Sequence, residues 1–230
     1  MLMRNKTASN ILMAMLLVGF IWISVGVHFN AEWLIRLDEF GNQLFRLNLS
    51  EAVNQAIFNF THIGSIRYLV VVAVGLGGLL LLFKKELTFW WFGLTVGLVA
   101  GVVPWFLKQF FARARPIDGL MVRFGYSFPS GHAIGVLALY GLVIFLAHTY
   151  MKKNWSRHLI MLASLAIILI VSWSRIHLGV HFLSDILASF SLGMFLLMTA
   201  QRVLVVYLQP MNEKSECMQK KRGLTTMVGR

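Results

Sequence analysis

Charge is scarce in this 230-residue chain, and negative charge scarcest of all. Only 13% of the residues are charged, nine of them Asp or Glu, whereas 58% are hydrophobic. A soluble domain carries about 25% charged and 45–50% apolar residues, so that class is excluded. Cysteine is almost absent. The single thiol, Cys217, lies in a polar tail, which leaves no intramolecular disulfide to form. What the chain has instead is a series of long uncharged runs, the mark of a polytopic membrane protein. Its length suits one membrane domain rather than two. The net charge of +12 raises the question of a nucleic-acid partner. The cations, however, sit in short loops, the tail and three polar clusters, so membrane orientation plus a phosphate site explains them better.

Arg4 and Lys6 precede an uncharged run from Ile11 to Phe29. No Ala-x-Ala-like cleavage site follows it, and a retained first span is expected rather than a signal peptide. Residues 31–65 mix charges with large apolar side chains. Trp33, Leu37, Phe40, Leu44 and Leu47 are spaced four, three, four and three apart, the period of one helical face. Val53, Ile57 and Phe60 continue it after a break near Ser50. These amphipathic helices lie in the membrane interface or form an extramembrane hairpin. Further spans are expected over Tyr68–Phe83, Leu87–Leu107, Ala133–Tyr150, Leu159–Trp173 and Leu183–Leu208. The fold class is therefore all-α, a bundle of six transmembrane helices over residues 1–208 with a basic tail at 209–230. Placing Arg4 and Lys6 in the cytoplasm puts Lys84-Lys85, Lys152-Lys153-Arg157 and the tail there too, as the bias of Lys and Arg requires. Segment 31–65 and all three polar clusters then emerge together on the non-cytoplasmic face.

Those clusters are Lys108 to Pro116 (KQFFARARP), Phe128 to His132 (FPSGH) and Ser174 to Asp185 (SRIHLGVHFLSD). Ionisable groups at a membrane boundary are costly, which makes function their default reading. The pattern resembles the three-part signature of the type 2 phosphatidic acid phosphatase family. Its parts are Lys, six residues, Arg-Pro; Pro-Ser-Gly-His; and Ser-Arg, five residues, His, three residues, Asp. Here they fall on Lys108 and Arg115-Pro116, on Pro129 to His132, and on Ser174-Arg175, His181 and Asp185. Relatives in that family often carry Tyr where His177 stands and Pro where Leu183 stands, positions that need not touch the chemistry.

A reacting phosphoryl group spreads negative charge over its equatorial oxygens, so positioning and electrostatics dominate its catalysis. Arg115 and Arg175 each offer a two-pronged donor, and Lys108 offers a point charge. Pro129 suits a helix start, where Ser130 and Gly131 would expose backbone N–H groups to the phosphate. His181 and Asp185 stand four apart on the first turn of the sixth span, so the carboxylate can orient the imidazole. The resemblance implies a phosphohistidine intermediate on His181, and His132 would donate and then recover the proton of the leaving oxygen. The remaining histidines, His28, His62, His148, His158 and His177, read as structural. Two histidines and a carboxylate can also hold a metal, but the surrounding cations would repel one, so no metal or other cofactor is expected.

The expected activity is hydrolysis of a phosphorylated membrane lipid, through a site facing outward from a bacterial cell membrane. A compact six-span chain resembles bacterial enzymes acting on undecaprenyl pyrophosphate or phosphatidylglycerophosphate. A phosphatidic acid phosphatase of broad specificity and a non-catalytic lipid-phosphate binder or transporter are the alternatives. Vanadium-type oxidation shares the anion site but occurs in soluble proteins. Nothing polar in the spans looks built to read a glycerol headgroup, whereas Arg113 and Arg123 could hold a second phosphate, which favours a pyrophosphate lipid. The sequence sets no oligomeric state.

Overall fold

The computed structural model describes residues 6–121 and 124–208, and among them every regular element is a helix. The helices are α1 (Lys6–His28), α2 (Glu32–Phe45), α3 (Glu51–Thr61), α4 (Ile66–Leu82), α5 (Glu86–Val96), α6 (Val103–Phe111), α7 (Gly131–Tyr150), α8 (Trp155–His177) and α9 (Leu183–Arg202). α5 and α6 are one 26-residue span joined by π-helical residues Gly97–Val102. Pro104 stands at the start of α6 and lacks the N–H that would continue an α-ladder, which is where a π segment is tolerated.

Five helices are long and apolar enough to cross a membrane: α1, α5–α6, α7, α8 and α9. α4 is shorter, at 17 residues, or about 26 Å against a hydrocarbon core of about 30 Å. It qualifies as the sixth span together with α3 and the 3-10 turn His62–Gly64, from which it is bent by 48°. The protein is thus a multi-pass membrane bundle, as its apolar runs predict.

α7 is the axis. It packs against α8, α9, α4 and the π segment. Every residue from Ala133 to Leu139 is buried, so its site end is enclosed on all sides. Leu139, Leu142 and Val171 are fully buried in the main cluster with Trp91 and Phe92. In lipid these contacts act through close packing rather than escape from water. The outer faces carry Val18, Trp22, Val71, Val74, Trp90 and Leu162, all exposed, where acyl chains replace water.

Two contacts identify one end of the bundle. Arg202 donates to Ser9 Oγ at 2.8 Å, and the Lys85 ammonium lies 5.4 Å from the Tyr150 ring centroid. The basic turns therefore gather at this end, and the three polar clusters at the other. α2 and α3 cover the cluster end, α2 against α8 and α9, and α3 against α8.

On α2 the apolar stripe and the buried face are not the same. Trp33, Phe40, Leu44 and Leu47 point outward, at 37–56% exposure, while Leu34, Asp38 and Gly41 are buried. An outward apolar stripe is inexpensive beside lipid, so periodicity marks the face toward the membrane and not the face toward the protein. Gly41 is glycine for a steric reason: a Cβ there would come within 2.4 Å of Leu183 Cβ, so only glycine lets α2 approach the start of α9.

Candidate active site

Each polar cluster is delivered by a helix end. Lys108 lies in the last turn of α6, and Ala112 ends that helix in the left-handed region at φ 45°. Ser130 caps α7, its hydroxyl accepting from the Ala133 N–H at 3.4 Å. α8 ends just beyond Arg175, and α9 begins at Leu183 with Asp185 in its first turn. His181 therefore sits in the short α8–α9 connection, two residues before the helix on which the spacing places it.

Hydrogen bonds join the clusters. Lys108 Nζ donates to the Tyr126 carbonyl at 2.7 Å, and Ser127 N–H to the Arg113 carbonyl at 2.9 Å. Ser130 N–H donates to Ser189 Oγ at 2.9 Å, and Ser189 Oγ–H to the Asp185 carbonyl at 2.7 Å, fastening α7 to α9. Arg115 spans the first and third clusters. Its Nη1 lies 2.7 Å from the Val180 carbonyl and 3.2 Å from His181 Nε2, while Nε and Nη2 donate to the Gly125 and Tyr126 carbonyls.

His181 is 2% exposed, with Nδ1 3.2 Å from Asp185 Oδ2. A carboxylate beside Nδ1 fixes the tautomer that carries its proton there and leaves Nε2 with a lone pair. Burial, followed by the charges of Lys108, Arg115 and Arg175, holds the His181 pKa well below its ordinary value, against the Ser127 carbonyl, which raises it. The imidazole is accordingly neutral at neutral pH. Its unprotonated nitrogen faces a set of cations.

Arg175 is almost completely buried and donates to Thr61 Oγ1 at 3.1 Å, as does Ser174 Oγ at 2.8 Å. A Cβ on Gly64 would meet Val171 Cγ1 at 2.6 Å and the His132 ring at 3.2 Å. The His62–Gly64 turn is therefore packed directly against His132. A Cβ on Gly131 would stand 3.8 Å from Lys108 Cε, so glycine leaves open the approach between the α7 terminus and the lysine.

Several expectations need correction. The helix starts at Gly131 and not at Pro129, and the Ser130 N–H is taken by Ser189. Gly131 provides the first helical N–H instead. Arg113 is not placed for a second phosphate: both its terminal nitrogens engage acidic side chains, Nη1 with Asp185 Oδ1 at 2.7 Å and Nη2 with Asp38 Oδ2 at 2.6 Å. Arg123 and the basic tail lie outside the described residues. His177 matches its structural reading, its Nδ1 accepting from the Leu47 N–H and its Nε2 lying 2.8 Å from Asn54 Oδ1.

Asp38, Thr61, Ser184 and Ser189 were not singled out from the sequence. Nothing in the sequence sets Asp38 apart from Glu32, Arg36 and Glu39, the other charged residues of α2. A cavity of about 470 Å³ opens beside Arg115, lined also by Asp38, Glu39, Asn42, Asp118 and Phe182.

Residues 88–210, just over half of the chain, match the PAP2 superfamily. The chain belongs to this superfamily. Phosphatidylglycerophosphatase B of Bacillus subtilis is 29% identical over 187 residues, covering 79% of this chain and 89% of that protein. Lipid A 4'-phosphatase of Porphyromonas gingivalis is 34% identical over 102 residues, 39% of each. In fold, the chain is similar to the crystal structure of a transmembrane PAP2-type phosphatidylglycerolphosphate phosphatase from Bacillus subtilis. The TM-score is 0.76 at 24% identity, over 86% of this chain and 98% of that one. The PAP2 match begins in α5 and leaves out α1 to α4, so Asp38 and Thr61 lie beyond it.

Proposed function

We propose that this membrane lipid phosphatase works through a phosphohistidine on His181, at the non-cytoplasmic face of a bacterial cell membrane. The observation that carries the reading is the His181–Asp185 pair, with Nδ1 committed to a carboxylate and Nε2 turned toward Arg115. Lys108, Arg115, Arg175 and the Gly131 N–H at the start of α7 hold the phosphate. As it binds, Arg115 Nη1 shifts from Nε2 to a phosphate oxygen and uncovers the lone pair.

Nε2 attacks phosphorus, the bond to the lipid oxygen breaks, and protonated His132 gives that oxygen its proton. Asp185 stabilises the positive imidazole that results. In the second step neutral His132 takes a proton from water, the hydroxide displaces the imidazole, and inorganic phosphate leaves with His181 regenerated. The reading needs no metal.

For substrate, phosphatidylglycerophosphate is favoured over a pyrophosphate lipid. The engagement of Arg113 by two carboxylates takes away one of the two cations on which a second phosphate site was expected. The cavity beside Arg115 has Glu39 and Asn42 in its lining, and these offer hydrogen bonds to a glycerol headgroup that the spans do not. The name of the Bacillus subtilis relative points to the same lipid.

The test is phosphate release by the purified protein in detergent, with EDTA, across phosphatidylglycerophosphate, phosphatidate and undecaprenyl pyrophosphate. Turnover is expected in EDTA, fastest on the first lipid, with inhibition by orthovanadate. A requirement for added magnesium or zinc would refute the metal-free mechanism. The face is tested with single cysteines at Asp118 and Asn154 in intact cells whose one native thiol, Cys217, has been replaced. Only the first should react with an impermeant reagent, and labelling of both would overturn the topology.

A further inference from the structure

Asp38 lies on α2, outside the membrane spans, yet it is only 4% exposed and every hydrogen bond of its carboxylate runs toward the catalytic pair. Its Oδ1 accepts the Ser184 N–H at 2.9 Å. Its Oδ2 accepts Ser184 Oγ–H at 2.9 Å and Arg113 Nη2 at 2.6 Å. Arg113 Nη1 in turn donates to Ser184 Oγ at 2.8 Å and to Asp185 Oδ1 at 2.7 Å. The guanidinium carbon also lies over the Phe182 ring, 4.2 Å from its centroid. The other oxygen of Asp185, Oδ2, is the one that meets His181 Nδ1 and the Phe182 N–H.

Rotation of the Asp185 carboxylate is what would move Oδ2 away from His181, and Arg113 pins it from the opposite oxygen. Arg113 bridges two carboxylates, a geometry that suits a planar fork and not a point charge. We propose that Asp38 is a positioning residue: through Arg113 and Ser184 it fixes Asp185 against His181, so that helix α2 completes the active site. Both oxygens of Asp38 and both terminal nitrogens of Arg113 are engaged within this network. Their effect therefore falls on turnover and not on substrate affinity. The inference rests on reading His181 and Asp185 as nucleophile and orienting carboxylate.

The experiment measures kcat and KM for Asp38→Asn, Arg113→Met and the double variant on one phosphorylated lipid in detergent. Activity is normalised to the protein that binds orthovanadate, so that misfolded material is not counted. Misplacement of a reacting group by about 1 Å costs about 10²-fold, and a kcat loss of that order with KM unchanged is expected for each single variant. Because the two act through one contact, the double variant should lose no more than the worse single one. Arg113→Lys should recover only part of the activity. If Asp38→Asn yields too little folded protein, Ser184→Ala removes the hydroxyl that bridges Asp38 and Arg113, a gentler change that should show the same split.

Unchanged kcat, a loss confined to KM, or multiplying losses in the double variant would each overturn the proposal. His181→Ala, run alongside, separates the two levels. Residual turnover there removes the nucleophile reading on which the proposal stands. A dead His181→Ala with a fully active Asp38→Asn refutes the positioning role alone.

Discussion

Replacing Asp185 with Asn tests the orienting carboxylate with almost no change of shape. Asp185 Oδ2 accepts from His181 Nδ1 at 3.2 Å and from the Phe182 N–H at 3.0 Å, while Oδ1 accepts from Arg113 Nη1 at 2.7 Å. An amide has one oxygen for these three donors, and both orientations fail. With the oxygen toward His181, the NH₂ faces the Arg113 guanidinium, donor against donor, in a fully buried position. Leaving one buried donor unmet costs about 1–3 kcal/mol, or roughly 5- to 150-fold at about 1.4 kcal/mol per tenfold. With the NH₂ toward His181, Nδ1 must become the acceptor and the proton moves to Nε2. The imidazole is then in the wrong tautomer to attack, a fault that costs about 10⁴-fold in a Ser–His–Asp triad. We therefore expect kcat to fall by about 5- to 10⁴-fold, depending on the orientation the amide takes, with KM changed far less, measured as phosphate release from a lipid substrate in detergent. A kcat for Asp185→Asn indistinguishable from the native value would refute the assignment of Asp185 as the orienting group.

Two further outcomes follow from the same geometry. Because burial and three cations hold the His181 pKa well below its ordinary value, its neutral form should persist as pH falls. The acid limb of kcat/KM should lie below about 6.5, the usual imidazole value. Arg115→Met removes a positive neighbour, so the His181 pKa should rise and the limb move to higher pH; a limb that stays in place or moves down would contradict the electrostatics. His132→Ala should slow the first phosphoryl transfer, read as the pre-steady-state burst of the leaving group, much more with a phosphomonoester lipid than with a pyrophosphate. A lipid alkoxide has a basicity like that of hydroxide, with a conjugate-acid pKa of about 16, whereas a leaving phosphate resembles a group of pKa about 6. Equal losses on both substrates would remove His132 from the acid role.

The spans were legible because lipid demands long apolar runs, and the clusters because polar residues stand out within them. The arrangement around the clusters was not. α2 shows why: the rule that apolar faces turn inward holds for a helix in water. Beside a membrane, Trp33, Phe40 and Leu44 can turn outward while Asp38 turns in. Partners distant in sequence were equally hidden. Asp38 meets Ser184 across 146 positions, and Thr61 meets Arg175 across 114. No local spacing encodes either contact. Arg113 was visible as a cation two residues from Arg115, but its role is set by two carboxylates on other helices, and only the fold brings those to it. Ser130 shows the smaller version of the same limit, since Ser189, which takes its N–H, comes from α9.

The central claim is that the phosphoryl group passes through His181, and trapping that intermediate tests it most directly. In His132→Ala the second step loses its general base, so a lipid pyrophosphate carrying ³²P in its terminal phosphate should load the enzyme faster than water unloads it. Rapid quenching should then show label on the protein that is stable to alkali and lost in acid, as a phosphoramidate is, approaching one per vanadate-binding site. The same experiment with His132 and His181 both replaced by Ala should show none. Label that persists without His181, or turnover by His132→Ala with no labelled protein at any time, would contradict the account.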